Sequence, residues 1–228
     1  MVRTTKQTAR LTGIAYLALA ISGIVGFFLI RSQLFVRGDA NATAANLIEN
    51  EGLARLGIAV DLTIVLTQSL AALLFFRLFR HVNAFAAGSI AAFGLMNSAA
   101  ILVATACSAT ALNVALDGGG TRAAGDGVLL LYDLNDAAWG VGGIFFGLWL
   151  IPMGWLAWRS GYMPRLLGWI LVASGVGYVL SAYAKYLLDV SPLVEALAIP
   201  ATIGEIWMVV YLLVWGVRSG PDSAIRAR

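Results

Sequence analysis

The stretch that decides the fold runs from Tyr132 to Trp158 and reads YDLNDAAWGVGGIFFGLWLIPMGWLAW. It has acidic residues near its start, glycines in its middle and a basic residue, Arg159, directly after its end. A helix needs about 20 apolar residues to cross the hydrocarbon core of a bilayer, which is about 30 Å thick. We therefore interpret this stretch as one transmembrane helix of a larger bundle.

The composition of the whole chain supports this interpretation. The 228 residues are 60% hydrophobic and 12% charged, whereas a soluble domain is about 45–50% apolar and about 25% charged. So few charged side chains leave too little polar surface to cover a water-soluble globule. The sequence predicts an all-α fold, a polytopic transmembrane helix bundle that forms a single integral membrane domain over residues 1–228.

Six stretches are long and apolar enough to span a membrane, at about residues 11–30, 57–77, 84–113, 132–158, 166–187 and 193–217. If the N-terminus is inside, most of the 15 basic residues fall on the inner side, together with Asp222 as its acid. The other acids fall on the outer side or in the outer halves of the spans. Because basic loops stay in the cytoplasm, we predict a multi-pass protein of the cell membrane with both termini cytoplasmic. A basic edge of this kind does not indicate nucleic-acid binding.

Two loops on the predicted outer side carry recognisable patterns. In the first, Asp39 can cap a short amphipathic helix over Ala40–Glu51, because its carboxylate can accept the free amides of a first turn. Leu47 and Ile48 give that helix a weak apolar face, so we expect it to lie across the outer mouth of the bundle. In the second, Asp117-Gly118-Gly119-Gly120 lacks the lysine of a phosphate-binding loop and is predicted to be a flexible connection.

Metal and cofactor chemistry has few residues to use in this chain. Cys107 is the single cysteine and His81 the single histidine. A cysteine cluster, a histidine-based metal site and a Ser-His-Asp triad at membrane depth are therefore excluded. We predict neither a metal nor a cofactor.

Polar residues inside the spans are the candidate functional residues. Such residues are costly in a membrane and usually face the bundle interior or water. With a rise of about 1.5 Å per residue, the strongly polar groups all fall in the outer half of their spans. We predict that they line one outward-opening acidic pocket. Asp61, Asp133 and Glu205 converge on this pocket, and Lys185 provides its counter-charge. The predicted ligand-binding residues are Asp61, Gln68, Asn97, Asp133, Asp136, Tyr178, Ser181, Lys185, Glu205 and Tyr211.

Each acid also has a structural alternative. Asp61 could pair with Arg55 or Lys185 and fix the order of the helices. Asp133 and Asp136 could cap the start of span four, where exposed amides favour acidic side chains.

The spacing of Thr202 and Glu205 is that of a capping box, which would place a helix start inside span six after Pro200. Small residues on one side of span four, Gly140, Gly143 and Gly147, indicate close helix packing in lipid and could mediate an oligomer.

A set of short motifs extends over nearly the whole chain. The set comprises Arg31-Ser32-Gln33-Leu34, Gly38-Asp39-Ala40, Asn50-Glu51, Arg55, Asp61, Asp133, Phe145-Phe146-Gly147-Leu148-Trp149, Pro152, Gly154, Ser160-Gly161, Pro164, Leu167-Gly168, Gly175, Tyr178 and Gly204-Glu205. In these motifs the chain resembles a bacterial family of multi-pass membrane proteins known only as a domain of unknown function. The resemblance implies a six-helix integral membrane protein without a known activity. It also implies a His-Asn pair where this chain has Asn135 and Asp136.

Three functions fit these observations. The first is binding or transport of a small amphiphilic or cationic molecule at the acidic pocket, with proton coupling as an option. The second is a membrane-embedded enzyme that uses Asp61, Glu205 and Asp133 as general acid and base on an isoprenoid or other lipid, as terpenoid cyclases do. The third is a signalling or assembly subunit without chemistry. The expected partners are the lipid bilayer and a lipid or small hydrophobic ligand.

Overall fold

A computed structural model of the chain describes residues 2–187 and 191–218, with side chains described over 5–187 and 202–218. All regular structure in these ranges is helical, which confirms the all-α class. The elements are α1 (Val2–Ile24), a π-helical segment π1 (Val25–Arg31), the single turn α2 (Ser32–Leu34), α3 (Ala40–Glu49), α4 (Glu51–Phe79), α5 (Ala84–Asp117), α6 (Arg122–Ser160), α7 (Arg165–Leu187) and α8 (Ser191–Val214).

Five helical segments are long and apolar enough to cross a membrane, so the chain is a helical integral membrane protein. They are Thr5–Leu34, Glu51–Phe79, Ala84–Asp117, Arg122–Ser160 and Arg165–Leu187. The first part of the predicted sixth span, about residues 193–201, lies outside the described side chains. The remainder is a shorter apolar helix, Thr202–Val214.

The helices contribute to two compact units. The terminal unit comprises Met1–Leu17, Gln68–Asn97 and Gly143–Arg228, and the central unit comprises Ala18–Thr67 and Ser98–Gly142. The prediction of a single domain over the whole chain stays a prediction.

The core of the central unit is built around α3 and the helices that it covers. The Asp39 carboxylate accepts a hydrogen bond from the Ala42 amide at 2.8 Å, so the predicted N-cap is confirmed. The buried face of α3 includes Leu47, which is 1% exposed. The core residues are Ile30, Leu34, Ala44, Leu47, Ala54, Ala111, Leu112, Ala115, Val128 and Tyr132.

Helix α6 begins well before the predicted start of span four. Gly119 and Gly120 have φ angles of +54° and +77° and form a tight turn. The Thr121 carbonyl then accepts the Gly125 amide at 3.0 Å, which starts the helix. Val128 and Tyr132 lie one turn apart and are both buried in the core, which stabilises the added turns. The connection between α5 and α6 is therefore limited to residues 118–121, and residues 122–131, which fall between the third and fourth predicted spans, belong to α6. That this connection is flexible stays a prediction.

In the terminal unit, α6 and α7 approach each other closely at reciprocal glycines. A Cβ atom on Gly154 would lie 2.5 Å from the Gly168 carbonyl oxygen, and one on Gly175 would lie 2.7 Å from the Gly147 carbonyl oxygen. Because no side chain separates the two backbones at these points, the helices pack directly against each other. Gly147 thus takes part in helix packing within the chain, which is the role predicted for the glycines of span four. Gly143, in contrast, has open space around it. An oligomer contact through this face stays a prediction.

Tyr162, in the turn between α6 and α7, joins three segments at one end of the terminal unit. Its carbonyl oxygen accepts the Arg218 amide at 3.0 Å and the Tyr211 hydroxyl at 3.2 Å. Its ring stacks on Phe79 with centroids 6.4 Å apart. The end of α4, the α6–α7 turn and the residues after α8 therefore lie together.

Candidate functional site

Arg31, the last residue of π1, organises the polar residues of the central unit. Its guanidinium donates one hydrogen bond to Asn135 Oδ1 and another to Asp136 Oδ1. Its Cζ atom lies 5.1 Å from the ring centroid of Phe35 and 5.4 Å from that of Tyr132. The arginine is thus held both by charged and polar acceptors and by aromatic rings, which attract a cation through their electron-rich faces. Arg31 follows the first predicted span, about residues 11–30, and the structure places it inside the apolar helical segment Thr5–Leu34.

Asn135 fixes the side of α6 that faces Arg31. The side chain is fully buried, and its amide nitrogen donates to the Ala104 carbonyl at 2.7 Å and to Ser108 Oγ at 2.9 Å. Its oxygen is thereby directed towards Arg31. The hydrogen bonds tie α6 to α5 on one side and to π1 on the other.

Asp136 is an ion-pair residue of this cluster. It pairs with Arg31, whose side chain is 18% exposed, and at 3.2 Å with Arg37, whose side chain is 83% exposed. Both Asp136 and Asp133 lie in the interior of α6, so the prediction that they cap a helix start was wrong. The reason is the early start of α6 at Arg122.

Asp133 does not join the cluster. Two residues along a helix correspond to a rotation of about 200°. Since Asn135 points into the unit, Asp133 points away from it, and its side chain is exposed. Within the central unit, the structure therefore does not bring Asp133 to the cluster around Arg31.

A partly open cavity of about 40 Å³ lies beside Arg31, and Asp61 contributes a carboxylate to its wall. Gly26 lies beside this carboxylate, because a Cβ atom added to Gly26 would be 3.6 Å from Asp61 Oδ1. As a glycine, it has no side chain that could cover the carboxylate. An ordered water needs about 10–15 Å³, so there is room for about three waters or a small ion and none for a lipid. The lining residues are Gly26, Phe27, Arg31, Leu34, Gly57, Asp61, Ser108, Tyr132 and Trp139.

The predicted partners of Asp61 are engaged elsewhere. Arg55 forms an ion pair with Glu51 at 2.7 Å, and Lys185 is exposed with its Nζ 5.8 Å from the ring centroid of Tyr186. The cation that faces Asp61 across the cavity is Arg31. In the part of the chain that the structure describes, the Asp61 carboxylate has neither a hydrogen bond nor an ion pair.

Glu205 belongs to a separate arrangement within the terminal unit. Its carboxylate accepts a hydrogen bond from the Tyr16 hydroxyl. The Tyr16 ring packs edge-on against Phe75 and Trp149, each with centroids 5.5 Å away. Because α8 begins at Ser191, Glu205 lies in a helix interior, and the predicted helix start after Pro200 was wrong. One signal in the sequence could have indicated Tyr16, namely a hydroxyl group inside an apolar span.

The other predicted residues of the terminal unit have varied surroundings. Tyr178 interacts electrostatically with Glu205, and its ring stacks on that of Phe146 with centroids 6.1 Å apart. Ser181 donates to the Tyr178 carbonyl at 2.8 Å within α7, and Tyr211 holds the Tyr162 carbonyl. Gln68 and Asn97 are buried. Over the described ranges, no group of three or more His, Cys, Asp or Glu residues is arranged to hold a metal ion.

Comparison with known proteins assigns the family. A family model described as "Domain of unknown function (DUF4386)" matches residues 11–216, which confirms the resemblance drawn from the motifs. An uncharacterized protein of Archaeoglobus fulgidus is 37% identical over 46 residues, a match that spans 20% of this chain and 28% of that protein. No solved structure matches the chain. Because the family model extends from the first span to the end of α8, this helical integral membrane protein belongs to the family Domain of unknown function (DUF4386).

Proposed function

We propose that the protein binds a small monovalent cation, a proton included, at Asp61 of the central unit, as a step in its transport across the membrane. The observation that carries the proposal is a carboxylate within a span that lines a cavity and has no ion pair or hydrogen bond among the described residues. An isolated carboxylate at such a depth is costly, so it takes up a proton or attracts a cation.

The charges of the cluster support this role. Arg31 already donates to Asp136 and Asn135, so its charge is partly offset by the Asp136 carboxylate. Arg37 is 83% exposed, and its charge is met mainly by solvent. Asp61 therefore carries the negative charge that is least compensated, although Arg31 moderates it across the cavity.

The size and walls of the cavity indicate the class of ligand. A volume of about 40 Å³ suits sodium, ammonium or a hydrated proton and excludes an isoprenoid. The rings of Phe27 and Trp139 pack edge to face with their centroids 4.8 Å apart. They form an aromatic wall of the cavity, which favours a cation beside it. These features favour cation binding over the two alternatives, which are an enzyme that acts on a lipid and a signalling or assembly subunit without chemistry.

Thermal unfolding of the purified protein tests the proposal. Sodium, ammonium and methylammonium chlorides are compared at constant ionic strength, with choline chloride as the bulky replacement. A cation at 100 times its Kd should stabilise the folded protein by about 2.7 kcal/mol and raise its Tm by about 5 °C. Asp61→Asn should abolish the rise. Asp133→Asn, which neutralises an exposed acid, is the matched control and should retain it.

An equal Tm rise in Asp61→Asn and wild type would overturn the site. Transport is measured separately, as cation-driven movement of protons in vesicles that contain the reconstituted protein. Flux that depends on Asp61 but not on Asp133 is expected. Cation binding without flux would reject transport while retaining the binding site.

We further propose six spans with both termini in the cytoplasm. The contacts of Tyr162 with Phe79 and Arg218 support this, because they place the ends of α4 and α8 beside the α6–α7 turn. The basic residues Arg77, Arg159 and Arg218 belong to these same segments, as expected for a cytoplasmic edge.

A further inference from the structure

We infer that Gln68, Asn97 and Trp149 form an internal hydration site in the terminal unit, where bound water bridges α4, α5 and α6. The inference does not depend on cation binding at Asp61, because it uses other residues and another unit. It is carried by buried polar atoms for which the described protein offers no partner.

The three side chains are among the most buried of those that the structure describes. Gln68 and Trp149 are 0% exposed, and Asn97 is 1% exposed. Both polar atoms of the Gln68 amide, the Asn97 amide nitrogen and the Trp149 indole nitrogen lack hydrogen bonds to the described residues. Buried polar groups are nearly always hydrogen bonded, to protein or to ordered water, so a concentration of unpaired groups indicates a bound molecule.

Gly94 of α5 brings these side chains to one place. A Cβ atom on Gly94 would lie 3.2 Å from Trp149 Cε3 and 3.6 Å from Gln68 Nε2. Asn97 is three residues further along α5 and therefore on the same face of that helix. Side chains from three helices thus meet at one surface of α5, where a Cβ atom on Gly94 would lie 2.6 Å from the Ala72 Cβ atom, so the glycine allows the helices to approach closely.

The chemistry of these groups selects water. The amide nitrogens and the indole nitrogen can donate, and Gln68 Oε1 can accept. All are uncharged, and a water molecule both accepts and donates. A bound anion is disfavoured, because the Trp149 ring also packs on Tyr16, which holds the Glu205 carboxylate.

The sign of a stability change separates a hydrated site from a dry one. In a dry cluster, Asn97→Leu removes an unpaired polar group and should raise the Tm. At a hydrated site it breaks the bridge and should lower the Tm by a few degrees. Asn113→Leu is the matched control, because Asn113 is on the same helix and exposed, and it should leave the Tm unchanged. A raised Tm for Asn97→Leu would overturn the inference.

A direct measurement covers the case in which the variants fold poorly. The indole N–H resonance of Trp149 is assigned in ¹⁵N-labelled wild-type protein by its loss in Trp149→Phe. A nuclear Overhauser effect from water to this proton is expected in deuterated detergent. Absence of that signal would reject the site. Movement of the resonance when chloride is replaced by gluconate would show a bound anion and would equally reject bound water.

Discussion

Arg31 shows how much the environment of one charged side chain decides. It and Arg37 pair with the same carboxylate, Asp136, but their side chains are 18% and 83% exposed. Hydrogen bonds to charged groups that are shielded from water contribute more than exposed ion pairs do. Arg31→Gln should therefore lower the free energy of unfolding by about 2 kcal/mol, and Arg37→Gln should change it by less than about 0.5 kcal/mol. Denaturant unfolding of the two variants measures the difference, and equal losses would contradict this account of the cluster.

The hydrogen bond between Tyr16 and Glu205 leads to a second prediction at this scale. Tyr16→Phe keeps the ring contacts with Phe75 and Trp149 and removes the hydroxyl that bonds the carboxylate. Loss of a hydrogen bond to a half-buried carboxylate should cost about 1 kcal/mol, so the Tm should fall. Tyr183→Phe is the control, because Tyr183 is 56% exposed. If both variants unfold at the wild-type temperature, the hydrogen bond contributes nothing.

At the scale of single residues, the sequence indicated positions more reliably than partners. Depth along the spans pointed to Asp61, and Asp61 does line a cavity. Depth could not indicate that Arg31 is the cation facing Asp61, because a basic residue at the end of an apolar stretch is normally expected to belong to a loop. Asn135 was likewise overlooked beside two acids, although its burial decides the direction in which both acids point.

At the scale of elements, the close contact between α6 and α7 at Gly154 and Gly168, here called the α6–α7 seam, can be tested directly. Gly154→Ala would place a Cβ atom 2.5 Å from the Gly168 carbonyl oxygen, whereas the space around Gly143 is open. Overpacking of this kind costs about 1–3 kcal/mol. Alanine in place of an unhindered helix glycine gains about 0.5–1 kcal/mol. Gly154→Ala should therefore lower the Tm and Gly143→Ala should raise it. Changes of the same sign in both variants would rule out the seam as the cause.

Helix boundaries followed from sequence where capping chemistry was explicit. Asp39 predicted the start of α3, because a carboxylate directly before an amphipathic helix can accept the free amides of its first turn. The start of α6 was misplaced because glycine and aspartate at 125–127 disfavour a helix locally. The burial of Val128 and Tyr132 in the core outweighs that preference.

The topology of the whole molecule can be tested with single cysteines. In a Cys107→Ser background, His81→Cys and Arg218→Cys should resist an impermeant maleimide in intact cells and react after lysis. Thr121→Cys should react in intact cells. All three positions are exposed, so reactivity reports the side of the membrane. Labelling of Arg218→Cys in intact cells, with His81→Cys protected, would mean that α8 does not cross.

The sequence by itself determined that this is a helical membrane protein and where most spans lie. Lipid cannot satisfy backbone hydrogen bonds, so long apolar stretches must form helices there. Only the tertiary structure decided how each helix is rotated, and hence that Asn135 faces Arg31 while Asp133 points away. The physical reason is that lipid tails are as apolar as the interior of the bundle, so the hydrophobic effect does not separate an inward face from an outward one. Close packing at glycines and a few buried polar contacts make that choice.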